Sequence, residues 1–437
     1  MIVTNSVIAK AALCIPLIGA GAIASAEDLS SRIEQASRNM APTVVEWRRY
    51  LHAHPELSNR EEQTSRYVAE RLREIGVDEI KTGVARHGIV ALIRGGKPGG
   101  AVALRADMDA LPIEEQTGLA FASQNPGVMH ACGHDAHTAI LLGAAKALVA
   151  VRADLPGTVK LLFQPAEEGA PRGEEGGAGL MIKEGALANP DVEAIFGLHV
   201  STDLPAGKLA YRDGVLLASV DRFRVKIAGK QSHAAMPWQG IDPIVATAQV
   251  IAALQTIASR KIDAREAVVV SVGILRAGQA WNIIPGEVVM EGTIRTHDPA
   301  VRKKAVEEFY RIVSQTAAAL EAQATIELDD YGPAVWNDPA LGGQMRPTLL
   351  RAAGEENLVE SPPVMGGEDF ALYAQEVPGY FIFLGVRNQS LGAVHQLHTP
   401  HMVIDEAALP LGVRTMALLA AEYLCGRAAQ PARTPQP

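Results

Sequence analysis

The sequence predicts an α/β catalytic domain with a mostly parallel sheet, interrupted by a smaller α+β sandwich. Two observations carry this. From Ile89 onward, short apolar runs alternate with helical patterns, which argues for a parallel sheet covered by helices. Near Leu209 the texture changes to strands that alternate apolar with polar residues, the mark of a sheet covered on one face only. A chain of 437 residues is long enough for both units.

The N-terminus reads as an export signal. Ala11 to Ile23 is mostly apolar and too short to span a bilayer, although only Lys10 and the α-amino group supply positive charge before it. Ala24-Ser25-Ala26 supplies a small-residue cleavage pattern, so residues 1–26 are expected to be removed and the mature chain to start near Glu27, periplasmic or secreted.

Leu29 to about Ile75 has helical periodicity with a break at His54-Pro55. Ile89–Ile93 and Ala101–Arg105 read as strands around the Gly/Pro turn of Gly95 to Gly100. Thr138 to Val151 reads as a helix, and Thr158–Phe163 and Glu193–Gly197 as further strands. Ser219 to Ile227 alternates strictly, a helix follows over Asp242–Arg260, and strands Ala267–Leu275 and Glu287–Arg295 precede a helix over Pro299–Leu320. Strand Ala324–Asp329 closes this β-α-β-β-α order. The expected organisation is therefore a catalytic domain over 27–208 and 331–425, an insert over 209–330, and a Pro-containing disordered tail over 426–437.

Composition removes several classes. Lys and Arg number 40 against 49 Asp and Glu, a formal charge of −9 without a long basic run, so no nucleic-acid partner is expected. Hydrophobic and charged contents of 48% and 20% are those of a soluble globular protein, with no membrane partner once the signal is gone. Cys132 and Cys425 are the cysteines left after cleavage, and one pair is no disulfide framework. Cys425 follows an Ala/Leu-rich run and reads as a small buried hydrophobe.

Chemistry concentrates in clusters, most of them just after apolar strand-like runs. Asp107 and Asp109 stand two apart at a strand end, which suits either a turn or a site. His130, Cys132, His134, Asp135 and His137 lie within eight residues at the start of a helix, a density that packing does not explain. A helix N-terminus also favours a thiolate at Cys132. Glu167 and Glu168 are solvated loop charges in the plain reading, but beside a metal one coordinates while the other serves as base. His199 and His398 supply further imidazoles. His233 reads equally as a loop histidine, and Asn282 with Arg295 could hold a substrate carboxylate by charge-assisted hydrogen bonds. Thiolate, imidazole and carboxylate together suit zinc, manganese, cobalt or nickel.

In these motifs the chain resembles the aminoacylase and hippurate-hydrolase branch of the two-domain dinuclear metallopeptidases, which also contains plant auxin-conjugate hydrolases. The matching segments are Arg48–His52 with Pro55–Ser58, Arg105–Pro112, Met129–Thr138, Gln164–Gly169, Gly197–His199, Ser232–Ala234, Asn282–Pro285 and Met365–Phe370, running in order from about Ala41 to Leu424. The resemblance implies a zinc-exopeptidase-like catalytic domain. It implies Cys132, His134, Glu168, His199 and His398 as ligands of two divalent metal ions, with Cys132 between them. It gives Glu167 as general base and Asp109 as the group that orients the metal site. Related families carry histidine where Asp107 stands, so Asp107 is left as a ligand, a supporting group or neither; His137 also stays open and is ranked as a supporting group. The insert is implied to be a dimerisation domain whose His233 reaches the partner's site, with Asn282 and Arg295 binding the substrate carboxylate.

The expected activity is hydrolysis of the amide bond of N-acyl amino acids. A metallo-dipeptidase or carboxypeptidase is the near alternative, and a periplasmic binding protein without turnover is the distant one. A pure binder has no use for an unliganded Glu167 beside Glu168.

Overall fold

The structure is a computed structural model that describes residues 20–428, with side chains from Asp28 onward. Most of the expected signal core, Ala11 to Gly19, lies outside the described residues, as does 429–437 of the expected tail.

Eight strands form the main sheet, in the order Glu79–Val84, Gly88–Arg94, Pro156–Gln164, Lys97–Asp107, Ala194–Pro205, Gly379–Arg387, Leu209–Tyr211 and Leu358–Glu360. The central four pair in parallel, and antiparallel pairs flank them. The sheet is thus parallel where it is most buried, as strands covered on both faces should be. The helix His134–Val151 is buried on nearly every side, packed against Leu409–Ala428 and the sheet, which explains why its apolar residues show no single stripe. Leu409–Ala428 is itself apolar enough to cross a membrane by length and composition, but its residues are buried in this core.

The insert is a four-stranded antiparallel sheet in the order Val268–Ala277, Glu287–Thr296, Ser219–Ala228 and Gln323–Gly332. Phe223, Val225 and Ile227 alternate onto the helices Pro243–Leu254 and Pro299–Ala319, where they meet Val250, Leu254, Phe309 and Val313. Three Asp-Pro pairs start helices here and at the return to the main domain. Asp242, Asp298 and Asp338 each accept backbone N–H bonds while the following proline occupies the first turn.

Several boundaries differ from the sequence reading. The N-terminal helical region breaks at Met40 as well as at His54, giving helices Ala20–Asn39, Ala41–Ala53 and Glu62–Ile75. The helix expected at Thr138 begins at His134. The strand expected to end at Gly197 runs on to Pro205, because Gly379–Arg387 pairs with it as far as Pro205. His199 therefore lies within a strand rather than past its end. The C-terminal helix continues through Gly426 to Ala428, where Arg427 donates to Glu193 at 2.7 Å, so the expected disorder does not begin at 426.

Candidate metal centre

The ends of the central strands and the start of one buried helix bring the metal-capable side chains together. Lys97–Asp107 delivers Asp107 and, just past it, Asp109. Pro156–Gln164 leads into Glu167-Glu168, and Ala194–Pro205 carries His199. Gly133 caps the His134–Val151 helix at φ 93°, and a Cβ there would stand 2.4 Å from Val200 Cγ2, so only glycine lets the chain turn from Cys132 to His134 against that strand. His398 also has a left-handed backbone, φ 61°, held by its N–H to Ala131 O at 2.8 Å. A histidine kept there costs about 1–3 kcal/mol, the kind of strain found at functional sites.

The donors of Cys132, His134 and His199 lie within 4.8 Å of one another, and so do those of Cys132, Glu168 and His398. Cys132 belongs to both groups: its Sγ is 3.4 Å from His199 Nε2 and 3.2 Å from His398 Nε2. Glu168 Oε1 is 3.3 Å from His398 Nε2. On the other side, His134 Nε2 faces Asp107, Glu167 and Glu168 at 3.8 to 3.9 Å.

Outer partners set the imidazole lone pairs. His134 Nδ1 donates to Asp109 Oδ1 at 3.2 Å, and His199 Nδ1 donates to Val200 O at 2.7 Å. In both, Nε2 is left as an acceptor directed at the cluster, the usual arrangement of metal-bound histidine. Buried His134 Nε2 and Glu168 Oε1 have no hydrogen-bond partner. Orphaned buried groups facing one another call for a cation, and the donor set fits a pair of first-row transition ions.

Electrostatics point the same way. Burial, followed by the charges of Glu168, Glu167 and Asp107, pushes the Cys132 thiol well above its ordinary range. The helix N-terminus alone therefore does not make the thiolate expected from sequence; a cation among these donors would have to hold it. Burial works against charge on His134, yet Asp107, Asp109 and Glu168 raise its pKa to about 10, so without a metal Nε2 carries a proton that a bound ion would displace. Burial and the neighbouring Glu368, Glu168, Asp369 and Asp107 push Glu167 well above the carboxylate range. Burial raises Glu368 to about 8 although Arg105 opposes it.

Sequence reasoning gave no role to the buried frame behind this cluster. Arg105 donates Nη1 to Asp107 Oδ2 at 2.7 Å and Nε to Gln164 Oε1 at 2.9 Å, while Nη2 reaches Glu368 at 2.8 Å and Asp369 at 2.9 Å. Ser58 donates to Asp109 Oδ2 at 2.7 Å. The available signal was a lone arginine inside an apolar strand, since a fully buried cation requires partners. Of the candidates read from sequence, Asp107, Asp109, Cys132, His134, His137, Glu167, Glu168, His199 and His398 converge. Arg295 lines the cavity of about 1340 Å³ that opens over them, with Nη1 donating to Met365 O at 3.2 Å.

His233 and Asn282 do not line this cavity. They share a hairpin of the insert, where Ala234 N–H donates to Asn282 O at 3.0 Å and His233 is exposed. His233 Nδ1 accepts the Ala235 N–H at 3.0 Å, so Nε2 carries the proton.

An α/β unit with an antiparallel insert, gathering a shared cysteine, imidazoles and paired carboxylates, defines a metal-dependent hydrolase. The chain belongs to the Peptidase family M20/M25/M40, which it matches over residues 103–422, and is a metal-dependent amidohydrolase of that family. It is 42% identical to N-acetyl-L-cysteine deacetylase of Bacillus subtilis over 83% of each chain. It is 40% identical to thermostable carboxypeptidase 1 of Saccharolobus solfataricus, over 91% of this chain and 99% of that one. A solved structure, the Bacillus subtilis YXEP protein, described as a dinuclear metal binding peptidase of the M20 family, superposes with a TM-score of 0.74 at 38% identity, covering 89% of this chain and 99% of that one.

Proposed function

We propose that the protein hydrolyses the amide bond of N-acyl amino acids, releasing a carboxylic acid and a free amino acid. The observation that carries this reading is Glu167, a carboxyl beside the ligand-like Glu168 and 3.9 Å from His134 Nε2. Cys132, His134, Glu168, His199 and His398 would hold two divalent ions, which would supply Lewis acidity toward water and the acyl oxygen. Zinc, manganese, cobalt and nickel all suit these donors. With cationic charge in the cluster offsetting the burial and the neighbouring carboxylates that push its pKa upward, Glu167 is ionised, takes the proton of the attacking water and returns it to the departing nitrogen. Asp109 orients His134. Arg295 holds the carboxylate of the amino-acid half, and Asn282, which shares the His233 hairpin, assists only from a second copy of the chain.

His233 acts from a second copy of the chain, its Nε2–H donating to the developing oxyanion. Its exposure on a hairpin supports this, as does the outer edge of the strand Val268–Ala277, open in this sheet and with exposed Ile274 and Leu275, a ready surface for a homodimer. Residues 1–26 direct export and are cleaved, which N-terminal sequencing of protein from the periplasm or medium would establish; an intact Met1 would contradict it.

The deciding experiment assays the purified mature protein on acetyl-, benzoyl- and indoleacetyl-amino acids and on free dipeptides, with each metal and with a chelator. The proposal expects chelator-sensitive hydrolysis of the acylated substrates. Preference for peptides with a free amine would favour the carboxypeptidase reading, which the similarity to the Saccharolobus enzyme supports. Binding without turnover of any substrate would contradict both.

A further inference from the structure

The insert's face of the cavity carries a side chain that the reaction above does not use. Tyr331 lines the same cavity as Glu167, Glu168 and Arg295. It sits at a bulge: Asp330 pairs with Asp221 and Gly332 with Val220, so Tyr331 has no opposite number on Ser219–Ala228. Bulges next to active sites re-aim side chains. Arg295 pairs with the same Val220 from the other side, so Arg295 and Tyr331 flank a cavity-lining valine across three strands. Adjacent strands are about 4.8 Å apart, and side chains as long as arginine and tyrosine can converge over the residue between them.

The tyrosine ring also abuts the loop that carries the base. A Cβ at Gly169 would stand 3.3 Å from Tyr331 Cε2. Among the described residues nothing hydrogen-bonds the Tyr331 hydroxyl, and Arg295 makes one hydrogen bond, Nη1 to Met365 O. Burial, with Glu167, Asp369, Asp109 and Glu168 nearby, keeps the phenol protonated and thus a donor.

We propose that Tyr331 is a specificity-determining residue whose hydroxyl, together with the free edge of the Arg295 guanidinium, holds the carboxylate of the substrate's amino-acid half. This rests on the N-acyl amino acid reading and adds a donor to it. Tyrosine and arginine side by side distinguish a carboxylate, which accepts from both, from a carboxamide, whose –NH2 face cannot.

The test is calorimetric binding to metal-loaded Glu167→Gln protein, with and without Tyr331→Phe, using N-benzoylglycine and N-benzoylglycinamide. Tyr331→Phe is expected to weaken the acid about tenfold and the amide less than about twofold, as loss of one hydrogen bond to a charged group predicts. In the otherwise wild-type enzyme KM for the acid should rise by a similar factor with kcat nearly unchanged. Equal weakening of both ligands, or a loss confined to kcat, overturns the assignment. A preference for the acid that survives Tyr331→Phe removes Tyr331 alone. If Glu167→Gln protein does not prefer the acid to the amide, the carboxylate-binding reading falls, and this inference with it.

Discussion

His137 Nδ1 lies 2.6 Å from Asp107 Oδ1, while its Nε2 accepts the Val200 N–H at 2.9 Å. Both ring nitrogens are occupied by protein, so His137 braces Asp107 against the His199 strand and has no lone pair left for an ion. His137→Gln should keep the full complement of metal but weaken its affinity about 10–100-fold, the usual cost of losing an outer partner. Chelator competition with metal analysis measures this; a missing equivalent of metal at saturation would make His137 a ligand.

Arg105 is the single guanidinium among Asp107, Glu368 and Asp369, and it is fully buried. Arg105→Met removes the charge while keeping much of the volume, and leaves the three carboxylates without their guanidinium, although His137 still bonds Asp107 and Gln164 still bonds Asp369. Loss of one partner from a buried ion pair costs about 3–5 kcal/mol, which should appear as a clear drop in the urea midpoint. An unchanged midpoint would show that the carboxylates are neutralised by other means.

His130 is buried, and neither ring nitrogen has a hydrogen-bond partner. Burial, with His52 and His134 opposing the help of Asp135, lowers its pKa from 6.5 to about 4. The unfolded chain therefore binds a proton that the folded chain refuses between these values, and stability falls as the pH drops through that window. A shift of this size corresponds to about 3 kcal/mol at its lower end. In chelator-treated protein, His130→Gln should flatten the dependence of the urea midpoint on pH between 6.5 and 4. A slope identical to wild type would assign the acid sensitivity to other groups.

The two-unit fold and the cluster of metal-capable side chains were legible because they depend on local signals. Strand runs ending in Asp107 and before Glu167, the alternation of Ser219 to Ile227, and the density of Cys132, His134 and His137 all lie within a few residues of sequence. The frame behind the site was not legible. Arg105 meets Glu368 and Asp369 across more than 260 residues, and no periodicity announces a contact of that range. The role of His137 depended on a backbone N–H in a strand that the sequence reading ended too early. Tyr331 lies two residues past the strand end read at Asp329, at a one-residue bulge where the alternation breaks, so no pattern pointed to it.

A dimer built through the insert should share its active sites. Inactive His233→Ala mixed with inactive Glu167→Gln under subunit exchange puts both residues into one site of each mixed dimer. Equal amounts should then restore roughly a quarter of wild-type sites. Background activity after demonstrated exchange would remove His233 from any role across the interface.

The most direct measurement of the central claim is metal content alongside turnover for Glu167→Gln, with Cys132→Ala and Cys425→Ala as companions. The account predicts that Glu167→Gln retains two ions per chain and loses at least ~100-fold in kcat, in line with general-base catalysis. It predicts that Cys132→Ala loses metal and activity together and that Cys425→Ala loses neither. Near-normal turnover by metal-loaded Glu167→Gln, or full metal retention by Cys132→Ala, would contradict it.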